Sequence, residues 1–174
     1  MDTKEISLSA ILAALYATLV IVLGIVSSGP VQLRVADCLI PLAAILGWPV
    51  VLGVTLGALV SNTFVYLGTV DIIFGATANL IAATIIFKLR KNLIIGCAAG
   101  SIAVGVIVGG YLWIYFPPPD IVGLNLPVWL AMMVSITLSS LIAISAIGYL
   151  LVKALDASGL AESLESMGLR TYLH

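Results

Sequence analysis

The sequence predicts an all-α membrane protein with six transmembrane helices and both termini in the cytoplasm. The first ground is composition. Of 174 residues, 62% are hydrophobic and 9% charged, where a soluble domain carries about 25% charged residues. Mean hydropathy is +1.26. A chain this short has too little interior to hide so much apolar surface from water, so lipid must cover it. The second ground is spacing: apolar stretches recur at about the 20-residue length that crosses a bilayer. The third is the placement of Lys and Arg, which collect on the cytoplasmic side of membrane proteins.

The elements follow in order. Met1-Asp2-Thr3-Lys4-Glu5 is a short charged head. Residues 6–26 form 21 positions without a charge, long enough to span, and Ser27-Ser28-Gly29-Pro30 stops them. Residues 36–46 are apolar but interrupted by Pro41, and Gly47-Trp48-Pro49 ends them. Residues 49–68 make the next span. After the brief polar break at Thr69-Val70-Asp71, residues 72–87 make another, 16 long. Lys88-Leu89-Arg90-Lys91-Asn92 is the one basic cluster, followed by a span over 93–116. Pro117-Pro118-Pro119-Asp120 has no place inside a helix and opens a loop running to about Asn125. Pro127 is a good first helical residue for the last span, 127–152. Residues 1–153 therefore form one transmembrane domain. In the tail, 154–174, Glu162 and Glu165 alternate with Leu160, Leu164 and Met167. That pattern reads as a short amphipathic helix on the membrane surface or a frayed end.

Charge placement settles the role of the Pro41-broken segment, which is either a full crossing or a re-entrant piece. Counted as a crossing, it puts Lys4, Lys88, Arg90, Lys91, Lys153 and Arg170 inside and Arg34 alone outside. Omitted, it moves the basic cluster to the side opposite Lys4. Six spans in the plasma membrane are the better solution. The first apolar run is too long for a signal peptide and shows no clear cleavage site. No long internal repeat marks an inverted-repeat transporter core.

Several function classes find no support. A net charge of −1 offers no basic surface for nucleic acid. Cys38 and Cys97 lie in apolar surroundings and form neither a CxxC motif nor a disulfide framework. The one histidine is His174, so no His-centred metal or catalytic site is predicted, and nothing implies a cofactor. There is no GxxxxGK[ST] to hydrolyse a nucleotide. An enzyme is not expected.

The candidate binding residues are polar groups in apolar company. Arg34 and Asp37, three apart, share a helical face. They either form an ion pair that orients the second helix or clamp a ligand, Asp37 accepting N–H donors while Arg34 holds a carbonyl or neutralises the carboxylate. Charged groups inside a membrane chain mark function by default, because each costs roughly 2.5–3.5 kcal/mol to insert at the bilayer centre. Gln32, Asn62 and Asn79 are amides that either glue helices together or reach a ligand. Asp71 opens the fourth helix, where a carboxylate caps the helix or binds substrate. Trp48, Trp113, Trp129, Tyr66, Tyr111 and Tyr115 fall near span ends as an aromatic belt would. Of these, Trp113, Tyr115 and Trp129 flank the triple-proline loop and are candidates for stacking on a flat ligand. Ala10/Ala14 and Ala13/Ala17 are small-xxx-small pairs that let another helix approach, within the chain or from a partner.

Three stretches together resemble the QueT family. Gly29-Pro30-Val31-Gln32-Leu33-Arg34-Val35-Ala36-Asp37 is similar to its first-loop signature, with Asp37 where the family usually carries the longer Glu. Gly57-Ala58-Leu59-Val60-Ser61-Asn62 resembles its Gly-to-Asn run, and Asp71-Ile72-Ile73-Phe74-Gly75 its Asp-to-Gly block. The resemblance covers roughly residues 6–153. It implies the six-helix bundle of an S component, the substrate-binding subunit of an energy-coupling factor (ECF) transporter, with the ligand near the outer face under the first loop. The implied partners are a transmembrane coupling protein, docked through an AxxxA face of the first helix that Ala10, Ala13, Ala14 and Ala17 match, and two cytoplasmic ATPases. The implied substrate is a queuosine precursor or related 7-deazaguanine. An S component for another vitamin or heterocycle, and a membrane scaffold protein without a ligand, are the alternatives.

Overall fold

The computed structural model describes residues 1–24, 33–117 and 126–172. Among them the chain is all-α. Helix α1, Thr3–Val22, starts in the charged head because Asp2 caps it. The Asp2 carboxylate accepts the Glu5 N–H at 2.9 Å, and the Glu5 carboxylate accepts the Asp2 N–H at 3.1 Å. Helix α2, Val35–Leu46, is composite: a 3-10 helix over Val35–Leu42 that contains Pro41, then one α turn over Ala43–Leu46. Gly47, at φ +66°, turns the chain into α3, Trp48–Phe64. Helix α4 is Thr69–Lys88, and α5, Leu93–Leu112, follows a 3-10 turn at Arg90–Asn92. Helix α6, Val128–Ala157, holds a π-helical stretch at Leu141–Gly148. Helix α7, Leu160–Ser166, lies in the tail.

Among the described residues four helices are long and apolar enough to cross a bilayer: Thr3–Val22, Thr69–Lys88, Arg90–Leu112 and Val128–Ala157. Helices α2 and α3 are apolar but shorter. At about 2.0 Å rise per 3-10 residue and 1.5 Å per α residue, α2 covers roughly 22 Å against a hydrocarbon core of about 30 Å. Position compensates for length, since every residue from Leu39 to Leu46 is buried.

Close crossings rest on small residues, as expected where lipid removes the hydrophobic drive between helices. Helix α3 meets α1 at Gly53 and Gly57; a Cβ on Gly57 would stand 2.7 Å from the Ala13 carbonyl oxygen and 2.8 Å from Tyr16 Cβ. Helix α5 turns Gly100 toward Ile86 of α4, and Gly105 and Gly109 toward Thr137 and Met133 of α6. The π-helical stretch carries Gly148 against α2, where a Cβ would lie 2.7 Å from Pro41 Cγ and 3.0 Å from the Cys38 carbonyl.

Helices α1 to α6 thus run alternately between two ends of the bundle. One end gathers the last turns of α1, α3 and α5 and the first turns of α2, α4 and α6. The other gathers the charged head, the basic turn and the tail. The tail folds back onto that second end: the Tyr172 N–H donates to the Ile45 carbonyl at 2.9 Å, and its ring meets Phe87 edge-on at 5.1 Å. Arg90 lies over both rings, at 4.9 Å and 5.6 Å, and the Lys4 ammonium donates to the Met167 carbonyl at 2.7 Å.

Candidate functional site

The start of α2 sets the site. Arg34 is its N-cap, with its carbonyl accepting the Asp37 N–H at 3.0 Å, so the 3-10 turn turns Asp37 into the bundle. Asp37 is 3% exposed, and its Oδ1 accepts the hydroxyl of the fully buried Tyr16 of α1 at 2.6 Å. A second carboxylate is held the same way. Asp71, in the first turn of α4 and also 3% exposed, accepts the Tyr111 hydroxyl of α5 at 2.7 Å. Arg34 interacts electrostatically with both tyrosines and both aspartates. It makes no salt bridge with a described residue; the only one among those residues joins the N-terminal amine to Glu5 at 3.8 Å.

Two amides tie α3 to α4 around this cluster. Asn62 Nδ2 donates to the Asp71 carbonyl at 3.0 Å, and Asn79 Nδ2 to the Val54 carbonyl at 3.4 Å. Gly75 makes room for the first, because a Cβ there would overlap the Asn62 amide. Phe74 packs its ring 6.0 Å from Tyr111. Beside the cluster, Arg34, Asp37, Asn79, Val104, Val108, Ile136 and Ser140 line a cavity of about 20 Å³, room for about one water. Ser140, the residue before the π-helical stretch, accepts through its carbonyl from the Ser101 hydroxyl at 3.1 Å, and Ser101 also meets the Ser145 hydroxyl at 3.0 Å.

The arrangement brings one guanidinium, with five N–H donors, into the field of two carboxylates, each able to accept more than its tyrosine bond. It can therefore offer donors to a carbonyl and acceptors to an N–H edge at the same place. Among the described residues no buried side-chain nitrogen or oxygen lacks a hydrogen-bond partner, and no group of three potential metal ligands occurs.

Of the residues singled out in the sequence, Arg34, Asp37 and Asn79 line one cavity, and Asn62 and Asp71 are joined by a hydrogen bond. Gln32 lies outside the described residues. Asp71 turns its carboxylate to Tyr111 rather than to the start of its helix. Trp113 and Trp129 stand away from the cluster, 42% and 49% exposed, and the Trp113 indole donates to the Gly110 carbonyl at 2.8 Å. The first-helix alanines divide: Ala17 is buried and Ala13 partly buried at the α3 crossing, while Ala10 and Ala14 are exposed. Tyr111 is no belt residue: it is 7% exposed, and its hydroxyl donates inward to Asp71. Tyr16 escaped the sequence reading altogether. Its one signal was a hydroxyl in the middle of an apolar run, flanked by alanines small enough for a close crossing.

A family model described as QueT transporter matches residues 6–157. No curated protein and no solved structure matches the chain.

Proposed function

The chain belongs to the QueT transporter family, and from that membership we propose that it is the substrate-capture S component of an ECF-type importer for a queuosine precursor or related 7-deazaguanine. The family makes it a multi-pass membrane transport protein for a small-molecule substrate. The observation that carries the finer reading is Arg34, framed by the Tyr16–Asp37 and Tyr111–Asp71 pairs at one end of the bundle. A deazaguanine has an edge of N–H donors, a carbonyl and a flat apolar face. Asp37 or Asp71 takes the donor edge and Arg34 the carbonyl. A polar site of this kind rejects analogues strongly, because a wrong partner leaves buried groups unpaired.

The adjoining cavity accepts about one water, so a bicyclic base enters only as the lining parts. Ile136 and Ser140 lead into the π-helical stretch of α6, a kind of turn that recurs at functional sites. The cation distribution orients the protein in the plasma membrane, with the Arg34 end outside and the Lys88–Lys91 turn inside as two of six spans meet there. Both termini are then cytoplasmic. Ala10 and Ala14, exposed on α1, are the docking pair for a transmembrane coupling protein, and two cytoplasmic ATPases supply the energy.

A second reading has one observation in its favour. Among the described residues every buried side-chain polar atom has a hydrogen-bond partner, as interhelical glue in a scaffold protein would. Mass spectrometric identification of ligand released from the purified chain separates the two. A deazaguanine should co-purify, or bind when added, and Arg34→Gln and Asp71→Asn should each weaken it at least about tenfold, the loss of one charged hydrogen bond. Circular dichroism should show both variants folded. A different heterocycle would keep the S component and replace its substrate. Folded protein that binds no heterocycle would leave the scaffold.

A further inference from the structure

We propose that the cleft between the α4–α5 turn and the last turns of α6 binds the phosphate headgroup of an anionic glycerophospholipid of the inner leaflet. Arg90, Lys91 and Asn92 form one wall, Tyr149 and Lys153 the other, and Ile94 opens toward the lipid; the volume is about 250 Å³. Arg90 is already positioned, because its guanidinium donates to the Phe87 carbonyl at 3.1 Å and lies over the Phe87 ring. Lys91 and Lys153 are exposed, and no carboxylate of a described residue makes a salt bridge with any of the three cations. Asp156, three residues beyond Lys153 on the same helix, leaves it unbridged.

Three cations converging without a carboxylate attract a phosphate. Their surroundings choose a lipid over an acidic protein segment. Ile94 is 64% exposed and Leu150, beside Tyr149, is 65% exposed, and both belong to helices long and apolar enough to cross the bilayer. Acyl chains attached to the bound phosphate would cover those side chains. Basic pockets between transmembrane helices on the cytoplasmic side are known to hold anionic headgroups.

Native mass spectrometry of the purified full chain, titrated with phosphatidylglycerol, phosphatidylcholine or inorganic phosphate, tests the assignment. One phosphatidylglycerol should bind at least tenfold more tightly than phosphatidylcholine, and inorganic phosphate should not compete with it. The double variant Lys91→Gln/Lys153→Gln should weaken phosphatidylglycerol by about 30-fold, the effect of two surface cations. Lys4→Gln, a cation outside the cleft, should leave it unchanged, and circular dichroism should show both variants folded. Equal retention of the two lipids, undiminished binding by the double variant, or the same loss in Lys4→Gln would overturn the proposal. Competition by inorganic phosphate would reduce the cleft to a small-anion site. Binding of a polyglutamate peptide in place of phosphatidylglycerol would assign it to a protein partner.

Discussion

At one end of the bundle Asp37 and Asp71 are each 3% exposed, and each holds a tyrosine hydroxyl at 2.6 or 2.7 Å. At the other end Lys88, Lys91 and Lys153 are exposed and bridge to no described carboxylate. The same chain thus treats charge in two ways. A carboxylate inside the bundle stands only where partners are built in, because an unpaired buried charge costs several kcal/mol. A lysine at the membrane edge reaches water and needs no partner. Polar groups at the first end should therefore be coupled to folding, and those at the second end should be replaceable.

The largest expected effect tests the first half of that contrast. Asp37→Ala removes the acceptor of a fully buried hydroxyl and a counter-charge of Arg34, and should cost about 3–5 kcal/mol in unfolding from mixed micelles. Adding Tyr16→Phe should restore part of the loss, since the stranded hydroxyl goes with it. A loss below about 1 kcal/mol, the scale of surface pairs, would erase the distinction between the ends. Tyr111→Phe keeps the ring against Phe74 and deletes one hydrogen bond to a carboxylate, so about 1.5–3 kcal/mol should disappear in the same assay. At the second end, Tyr172→Ala removes an edge-on ring contact and a cation–π contact, together worth about 1–2 kcal/mol. Limited proteolysis should then cut the tail sooner while the midpoint of core unfolding stays in place. A large shift in that midpoint would tie the tail to the bundle core.

How far this was legible follows from what hydropathy records. The apolar runs at 72–87 and 93–116 anticipate α4 and α5 within a few residues, because length and polarity decide a span. The 3-10 turn of α2 and the π-helical stretch of α6 were not legible, since both differ from an α-helix only in hydrogen-bond register. Arg34, Asp37 and Asp71 stood out as charges in apolar company. Their tyrosine partners did not: Tyr16 lies 21 residues from Asp37 and Tyr111 lies 40 from Asp71, separations at which only the fold reveals a pair. Gly75 is similar, its meaning visible only when Asn62 arrives from the neighbouring helix.

The shortness of α2 has a consequence for how the protein is made. Eight 3-10 residues and four α residues, with Asp37 and Pro41 among them, are apolar but too few to partition into a bilayer unaided, and they carry a charge. The segment can leave the translocon only into the shelter of helices already beside it. Helix α1 emerges first and offers Tyr16 to Asp37, but the α4 and α6 surfaces that enclose α2 are synthesised later. Helix α2 is therefore expected to settle in the membrane together with them. Insertion of this bundle is expected to be cooperative around α2, the shortest of its apolar helices among the described residues.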